Sequence, residues 1–182
     1  MTLFQNKFRI ESARREGWDY ADNGYYFITI CTKDREHFFG EIENGEMVLN
    51  EYGKIVQEEW EKSFEIRKEL FCDTYIIMPN PIHGIVILEK DYSSNETTDD
   101  ILHVETHGRA SLHRSPKSIS SFVAGFKSVV TTRINQIRKT PKMPLWQPRF
   151  HDRIVRDEIE LYNVRNYIPN NPRNWEDDEF YT

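Results

Sequence analysis

Apolar and polar residues follow two different periods along this chain, and the changes of period mark out its elements. Gly24 to Lys33, GYYFITICTK, crowds aromatic and β-branched residues together and reads as a central strand. His37 to Asn50, HFFGEIENGEMVLN, places Asn44-Gly45 between two short apolar segments, the strongest short-range hairpin signal. In EYGKIVQEEWEKSF, from Glu51, the residues Ile55, Trp60 and Phe64 recur about one helical turn apart amid acids, predicting an amphipathic helix with its acidic side in water. Tyr75 to Leu88, YIIMPNPIHGIVIL, is two apolar runs around Pro-Asn-Pro, which predicts two buried strands with a sharp break between them.

From Asp91 to about Ser115 the periodicity stops and Ser, Thr, Asn and Asp take over, as in a long mobile loop. Within it, His103-Val104-Glu105-Thr106-His107 has two histidines four apart. The glutamate sits two places after the first histidine rather than one, and no apolar stripe supports a helix, so a zinc-protease site is set aside. Ser115-Pro116 predicts a helix cap and first-turn proline, after which Ile119, Phe122, Val123, Phe126, Val129, Val130, Ile134 and Ile137 recur at helical spacing. Lys127, Arg133 and Arg138 fall on the other sides of that helix. A short strand in FHDRIVRD and a helix in EIELYNVRNYIPNNP, ending near Pro172, complete the order β, β-hairpin, α, β, β, loop, α, β, α.

Composition narrows the class. A chain of 182 residues with 38% apolar and 13% aromatic content suits one folded domain, residues 1–182. No stretch approaches the ~20 apolar residues of a membrane helix and no secretory leader is visible, which predicts a soluble cytoplasmic protein without a membrane partner. Cys31 and Cys72 lie in strand-like runs with no pairing pattern and read as reduced core residues. Charge changes the picture more. Between Thr106 and Arg156 eleven Lys and Arg face one acid, Asp152, so this segment carries +10 and the rest of the chain −16, for a net −6. A basic block with interleaved aromatics, as in LWQPRF, is a footprint for a polyanion, although a solvated helix face produces the same count.

Chemistry-bearing residues are few. Asn163, Tyr167 and Asn171 are spaced four apart and share one stripe of the last helix. Taken singly, Tyr167 reads as a helix residue with its ring in the core, and His83 as a structural histidine.

Three segments together, YIIMPNPIHGIVIL, LWQPRFHDRIVRDE and VRNYIPNNPRNW, with NKFRIESARREGWDYADNGYYFITICTK near the start, resemble the REP-associated tyrosine transposases. These belong to the HUH single-strand nucleases. The resemblance implies an α+β fold, a ferredoxin-like antiparallel sheet with packed helices. It implies a Mg²⁺- or Mn²⁺-dependent enzyme that nicks single-stranded or hairpin DNA and transfers strands through a 5′-phosphotyrosine. Rejoining then needs no ATP, because the covalent link keeps the phosphodiester energy. Tyr167 matches the family's nucleophile, His83 its second metal-binding histidine and Asn171 its polar metal ligand. Lys127, Arg133, Arg149 and Arg153 are candidates for phosphate contacts, with Lys127, Arg149 and Arg153 equally candidates for the cation that activates the tyrosine, and Trp146 and Phe150 either stack on unpaired bases or belong to the core. A nucleoid-associated monomer or homodimer is expected.

The chain departs from the pattern in three places. Pro81 stands where the family carries its first histidine, and proline has no ligand atom. Arg153 stands where relatives often have histidine, and Pro169 follows Tyr167 by two residues, where it deletes a helical hydrogen bond. The expected activity is therefore impaired, and the alternative is a DNA-hairpin-binding protein that no longer cuts.

Overall fold

Strand β3 (Gly24–Ile30) runs through the interior of a four-stranded sheet, paired on one side with β7 (Ile82–Leu88) and on the other with β8 (His151–Ile154). The structure, a computed structural model, describes residues 19–90 and 116–178 and the backbone of two short paired strands, β1 (Leu3–Phe4) and β2 (Lys7–Phe8). The remaining elements are the hairpin β4 (Gly40–Glu43) and β5 (Glu46–Leu49), helix α1 (Glu51–Ile66), β6 (Leu70–Ile77), α2 (Ile119–Arg138) and α3 (Glu158–Asn170). A 3₁₀ segment, Asn171–Asp177, follows α3. The sheet order is β6-β7-β3-β8, antiparallel throughout. With α1 between β3 and β6 and α2 between β7 and β8, two split β-α-β units interlock, which is the ferredoxin-like α+β arrangement. The element order is the one the periodicity predicts. The expected loop at 91–115, with its two histidines, and most of the N-terminal motif lie outside the described residues.

Alternation along the strands sends successive side chains to opposite faces of the sheet. Tyr26, Ile28 and Ile30 of β3 and Ile82, Val86 and Leu88 of β7 are fully buried on one face with Trp60 of α1 and Phe122, Phe126 and Val130 of α2. Gly84 is small for a reason. A Cβ there would lie 2.7 Å from Trp60 Cζ2. On the opposite face Phe27 and Ile85 pack against Val164 and Ile168 of α3.

Local signals fix the ends of these elements. Asn44 and Gly45 take φ of 53° and 77°, the positive values a two-residue hairpin turn requires. The Asn50 side chain accepts from the amides of Tyr52 and Gly53 to cap α1. Helix α2 begins later than Ser115-Pro116 predicts: Ser118 is its cap, closing a reciprocal box with Ser121. A bulge between Cys72 and Thr74 leaves Asp73 the extra residue of β6, and its carboxylate takes a two-bonded contact at 2.6 and 2.8 Å from Arg165, pinning α3 to the sheet. Pro169 is the next-to-last residue of α3, so its missing N–H falls in the last turn, just before the chain tightens into 3₁₀ geometry. Both cysteines are thiols, and among the described residues no helix is long and apolar enough to cross a membrane.

Candidate active site

Five elements bring polar side chains to one cleft on the α3 face of the sheet. Register places His83 of β7 and His151 of β8 on either side of Thr29 in β3. Helix α3 lays Asn163 and Tyr167 across the row, and the 3₁₀ segment closes the end with Asp177 and Asp178. The resulting cleft is about 580 Å³ and is also lined by Phe27, Asp152, Arg153 and Val164. Trp175, 5% exposed and packed on Cys31 and Met78, anchors that last segment three residues before Asp178.

Hydrogen bonds link the row into a chain. His83 is wholly buried, with Nδ1 2.9 Å from Thr29 Oγ1 and Nε2 3.4 Å from the Tyr167 hydroxyl. The Tyr167 hydroxyl donates to Asp178 Oδ2 at 2.6 Å, and the same oxygen accepts from Asn171 Nδ2 at 2.6 Å. The Tyr167 ring meets Phe27 and His83 edge-on, at 6.1 and 5.3 Å between centroids, so its orientation is set by packing as well as by the hydroxyl. Burial lowers the His83 pKa to about 4, against an opposing pull from the Asp178 charge, and the ring is neutral at pH 7. A neutral imidazole carries one proton. If Nδ1 holds it and donates to Thr29, Nε2 presents a lone pair to the cleft.

The donor set bears on the cation that the resemblance implies. Asn171 is 1% exposed, and its Oδ1 has no hydrogen-bond partner among the described residues. A buried acceptor left unpaired is costly, and a cation would satisfy it. His83 Nε2 and Asn171 Nδ2 are linked through the Tyr167 hydroxyl and the Asp178 carboxylate; an amide oxygen and a carboxylate are donors of the kind that Mg²⁺ or Mn²⁺ takes. Among the described residues no three His, Cys, Asp or Glu side chains form a cluster of their own. The one feature among the described residues that suits a hard cation is the unpaired Asn171 Oδ1.

No family model matches the chain. An uncharacterized protein of Haemophilus influenzae is 33% identical to it over 172 residues, spanning 93% of this chain and 92% of the relative. The chain belongs to that protein's family. Among solved structures, a REP-associated tyrosine transposase bound to a REP hairpin superposes with a TM-score of 0.55 at 15% identity, over 96% of this chain and 74% of that one. At that identity the superposition establishes the shared fold alone.

The sequence-predicted residues separate into two groups. Tyr167, His83 and Asn171 meet, as described, and Arg153 lines the same cleft with its guanidinium 5.4 Å from the Phe27 ring centroid and Nε 3.5 Å from Glu160. Arg149 is exposed just before β8. The other four expected DNA contacts sit elsewhere. Arg133 bridges Glu58 and Glu59 at 2.7 Å each, tying α2 to α1 on the far face of the sheet. Lys127 is half-buried and donates to the Gln147 carbonyl. Trp146 is 7% exposed, donates its indole N–H to the Lys127 carbonyl and packs on Phe39 and Phe126, so it is core rather than a base-stacking platform. Phe150 is half-buried against the same core. Pro81 lies buried in the loop between β6 and β7, two residues before His83, where its carbonyl accepts from the Met78 amide. Asp178 was not singled out by the sequence. It lies beyond α3, in the run WEDDEF, whose acids look like an ordinary solvated tail.

Proposed function

We propose that this protein nicks single-stranded DNA at hairpin sequences and rejoins it to another strand, with Tyr167 as nucleophile and Mg²⁺ or Mn²⁺ as cofactor. The observation that carries the reading is the meeting of Tyr167, His83 and Asn171 from a helix, a central strand and a 3₁₀ segment. The shared fold with a transposase bound to a DNA hairpin supports a DNA partner.

In this reading a DNA phosphate enters the 580 Å³ cleft beside Arg153, and Tyr167 Oη attacks phosphorus. The Oη–P bond forms as the bond from phosphorus to the 3′ oxygen breaks, leaving a 5′-phosphotyrosine and a 3′-hydroxyl. The phenol proton has an acceptor 2.6 Å away in Asp178 Oδ2, and the leaving oxygen takes a proton from water. Phe27 and His83 hold the ring, so the hydroxyl does not have to be ordered at the moment of attack. A divalent cation held by His83, Asn171 and Asp178 would neutralise the phosphate and align it.

A second reading, a hairpin-binding protein that does not cut, draws on Pro81, which brings no donor atom to the position matching the family's first histidine. One assay separates the two. Labelled single-stranded hairpin DNA is incubated with the protein and Mn²⁺, and denaturing gels are examined for a protein–DNA adduct. Nuclease activity predicts an adduct that Tyr167→Phe abolishes. Tight hairpin binding with no adduct at any metal concentration selects the second reading, and an adduct that persists in Tyr167→Phe assigns the nucleophile to another residue.

A further inference from the structure

Two histidines flank Thr29 on the floor of the cleft, His83 from β7 and His151 from β8, and the proposed nicking chemistry uses one of them. We infer, on the reading that Tyr167 is the nucleophile, that His151 is the general acid that protonates the departing 3′ oxygen. The same ring is then the base that takes the proton back when the strand is rejoined.

The two walls of the cleft divide the reaction between them. Helix α3 packs over β6 and β7, so the cleft opens above β3 with α3 on one side and β8 on the other. Tyr167, Asp177 and Asp178 line the α3 side, and His151 and Arg153 line the β8 side. In phosphoryl transfer the attacking and leaving oxygens lie roughly in line through phosphorus, so a nucleophile on the α3 wall directs the 3′ oxygen toward β8. His151 pairs with Thr29, which pairs with His83 on its other side, so the three share one face of the sheet and the histidine backbones are about 10 Å apart. The cleft of about 580 Å³ has room for a phosphodiester between them.

On the β8 wall one side chain suits the proton transfer. Arginine does not give up its proton, so Arg153 can hold the phosphate but not protonate the leaving group. Asp152 is 5% exposed and pairs in register with Ile28, so alternation turns its carboxylate toward the apolar face. His151 is exposed, and an imidazole gives and takes protons near neutral pH. His83 is wholly buried on the nucleophile's side, held by Thr29 and Tyr167, and does not reach that wall. As the Oη–P bond forms and the P–O3′ bond breaks, the bonding pair stays on O3′ and the His151 imidazolium gives it a proton, leaving a 3′-hydroxyl and a neutral ring. Rejoining reverses the transfer. The neutral ring takes the proton of the incoming 3′-hydroxyl as that oxygen attacks phosphorus, and Tyr167 recovers its own proton from Asp178.

The test replaces the leaving oxygen by sulfur. A hairpin oligonucleotide with a 3′-bridging phosphorothiolate at the position where wild type cuts releases a thiolate, which needs no proton because a thiol ionises near pH ~8.5, far more readily than an alcohol. On ordinary DNA, His151→Ala and His151→Gln should form the phosphotyrosine adduct about a hundredfold or more slower than wild type, with hairpin affinity unchanged. On the sulfur substrate both should match wild type. Arg153→Ala should lose the same factor on both substrates, since charge on the phosphate does not depend on the leaving atom. Circular dichroism confirms that each variant is folded, and glutamine keeps a hydrogen-bonding side chain that cannot transfer the proton. His151 variants that cut ordinary DNA like wild type, a defect of equal size on both substrates, or sulfur rescue of Arg153→Ala instead overturns the inference and leaves the nuclease reading intact. No adduct from wild type on either substrate, or an adduct that survives Tyr167→Phe, overturns both.

Discussion

The two faces of the sheet are made from alternate residues of the same strands, yet they are built for different work. On the α1–α2 face Ile28, Ile30, Ile82, Val86 and Leu88 meet Trp60, Phe122 and Phe126 in an interior from which water is excluded. On the α3 face His83 and Thr29 occupy the positions next to those residues, and the covering helix leaves an open cleft instead of closing on them. One residue of register therefore separates a stabilising side chain from a chemical one. The apolar face supplies the rigidity that lets the polar face hold a buried, neutral histidine.

Breaking that division at its sharpest point should give the largest effect. Tyr167→Phe keeps the ring that packs on Phe27 and His83 and removes the oxygen, so adduct formation should fall by about a thousandfold or more. The lost hydrogen bond to Asp178 should cost about 1 kcal/mol of stability. Quantitative adduct gels and urea unfolding on the same preparations measure both. A variant that loses its fold along with its adduct would place Tyr167 among the core residues.

The converse substitution is Trp60→Ala. Trp60 is fully buried and touches Phe64, Tyr75, Phe122 and Phe126, so the cavity should cost about 3 to 5 kcal/mol. The adduct rate per folded molecule should change little at low temperature. A selective loss of chemistry in a protein that melts like wild type would show that the two faces are coupled.

The polar face has a pH signature that the apolar face lacks. His83 has a folded-state pKa of about 4, below the ordinary 6.5, so between those values the unfolded chain binds more protons and stability rises with pH. The contribution is complete above pH 6.5 and is lost as pH falls toward 4, a total of roughly 3 kcal/mol. Denaturant unfolding in a chelator from pH 4 to 7 should show that slope, and His83→Gln should flatten it. An unchanged slope in the variant would assign the acid sensitivity to carboxylates.

How far this was legible in the sequence depends on the range of the signal. Periodicity is local, and the strand, hairpin and helix order follows from it without a tertiary argument. The stripe Asn163, Tyr167, Asn171 is also local: the first two line the cleft, and Asn171, just past the end of α3, reaches it through Asp178. Asp178 belongs to no stripe: it reaches Tyr167 because Trp175 is buried against Cys31 and Met78, a contact that only the tertiary fold creates. The basic segment divides between the two faces for the same reason. Counting charge along the chain from Lys127 to Arg153 cannot tell that β8 carries the chain from one face of the sheet toward the other.

Arg133 and Arg153 turn that last point into the smallest and finest test. Both were candidates for phosphate contact, but Arg133 is committed to Glu58 and Glu59, while Arg153 lines the cleft with Tyr167. Each phosphate contact releases condensed counterions, so replacing Arg153 with alanine should weaken hairpin binding a fewfold and reduce the slope of log affinity against log salt by about one. Arg133→Ala should leave both unchanged and act on stability instead, because Glu59 is 7% exposed and would lose the guanidinium that offsets its burial. Binding isotherms over a range of salt concentrations, with melting curves for the same proteins, separate the two. Equal salt slopes for the two variants would mean that DNA does not approach through the α3 face, and the division between the faces would then be one of packing alone.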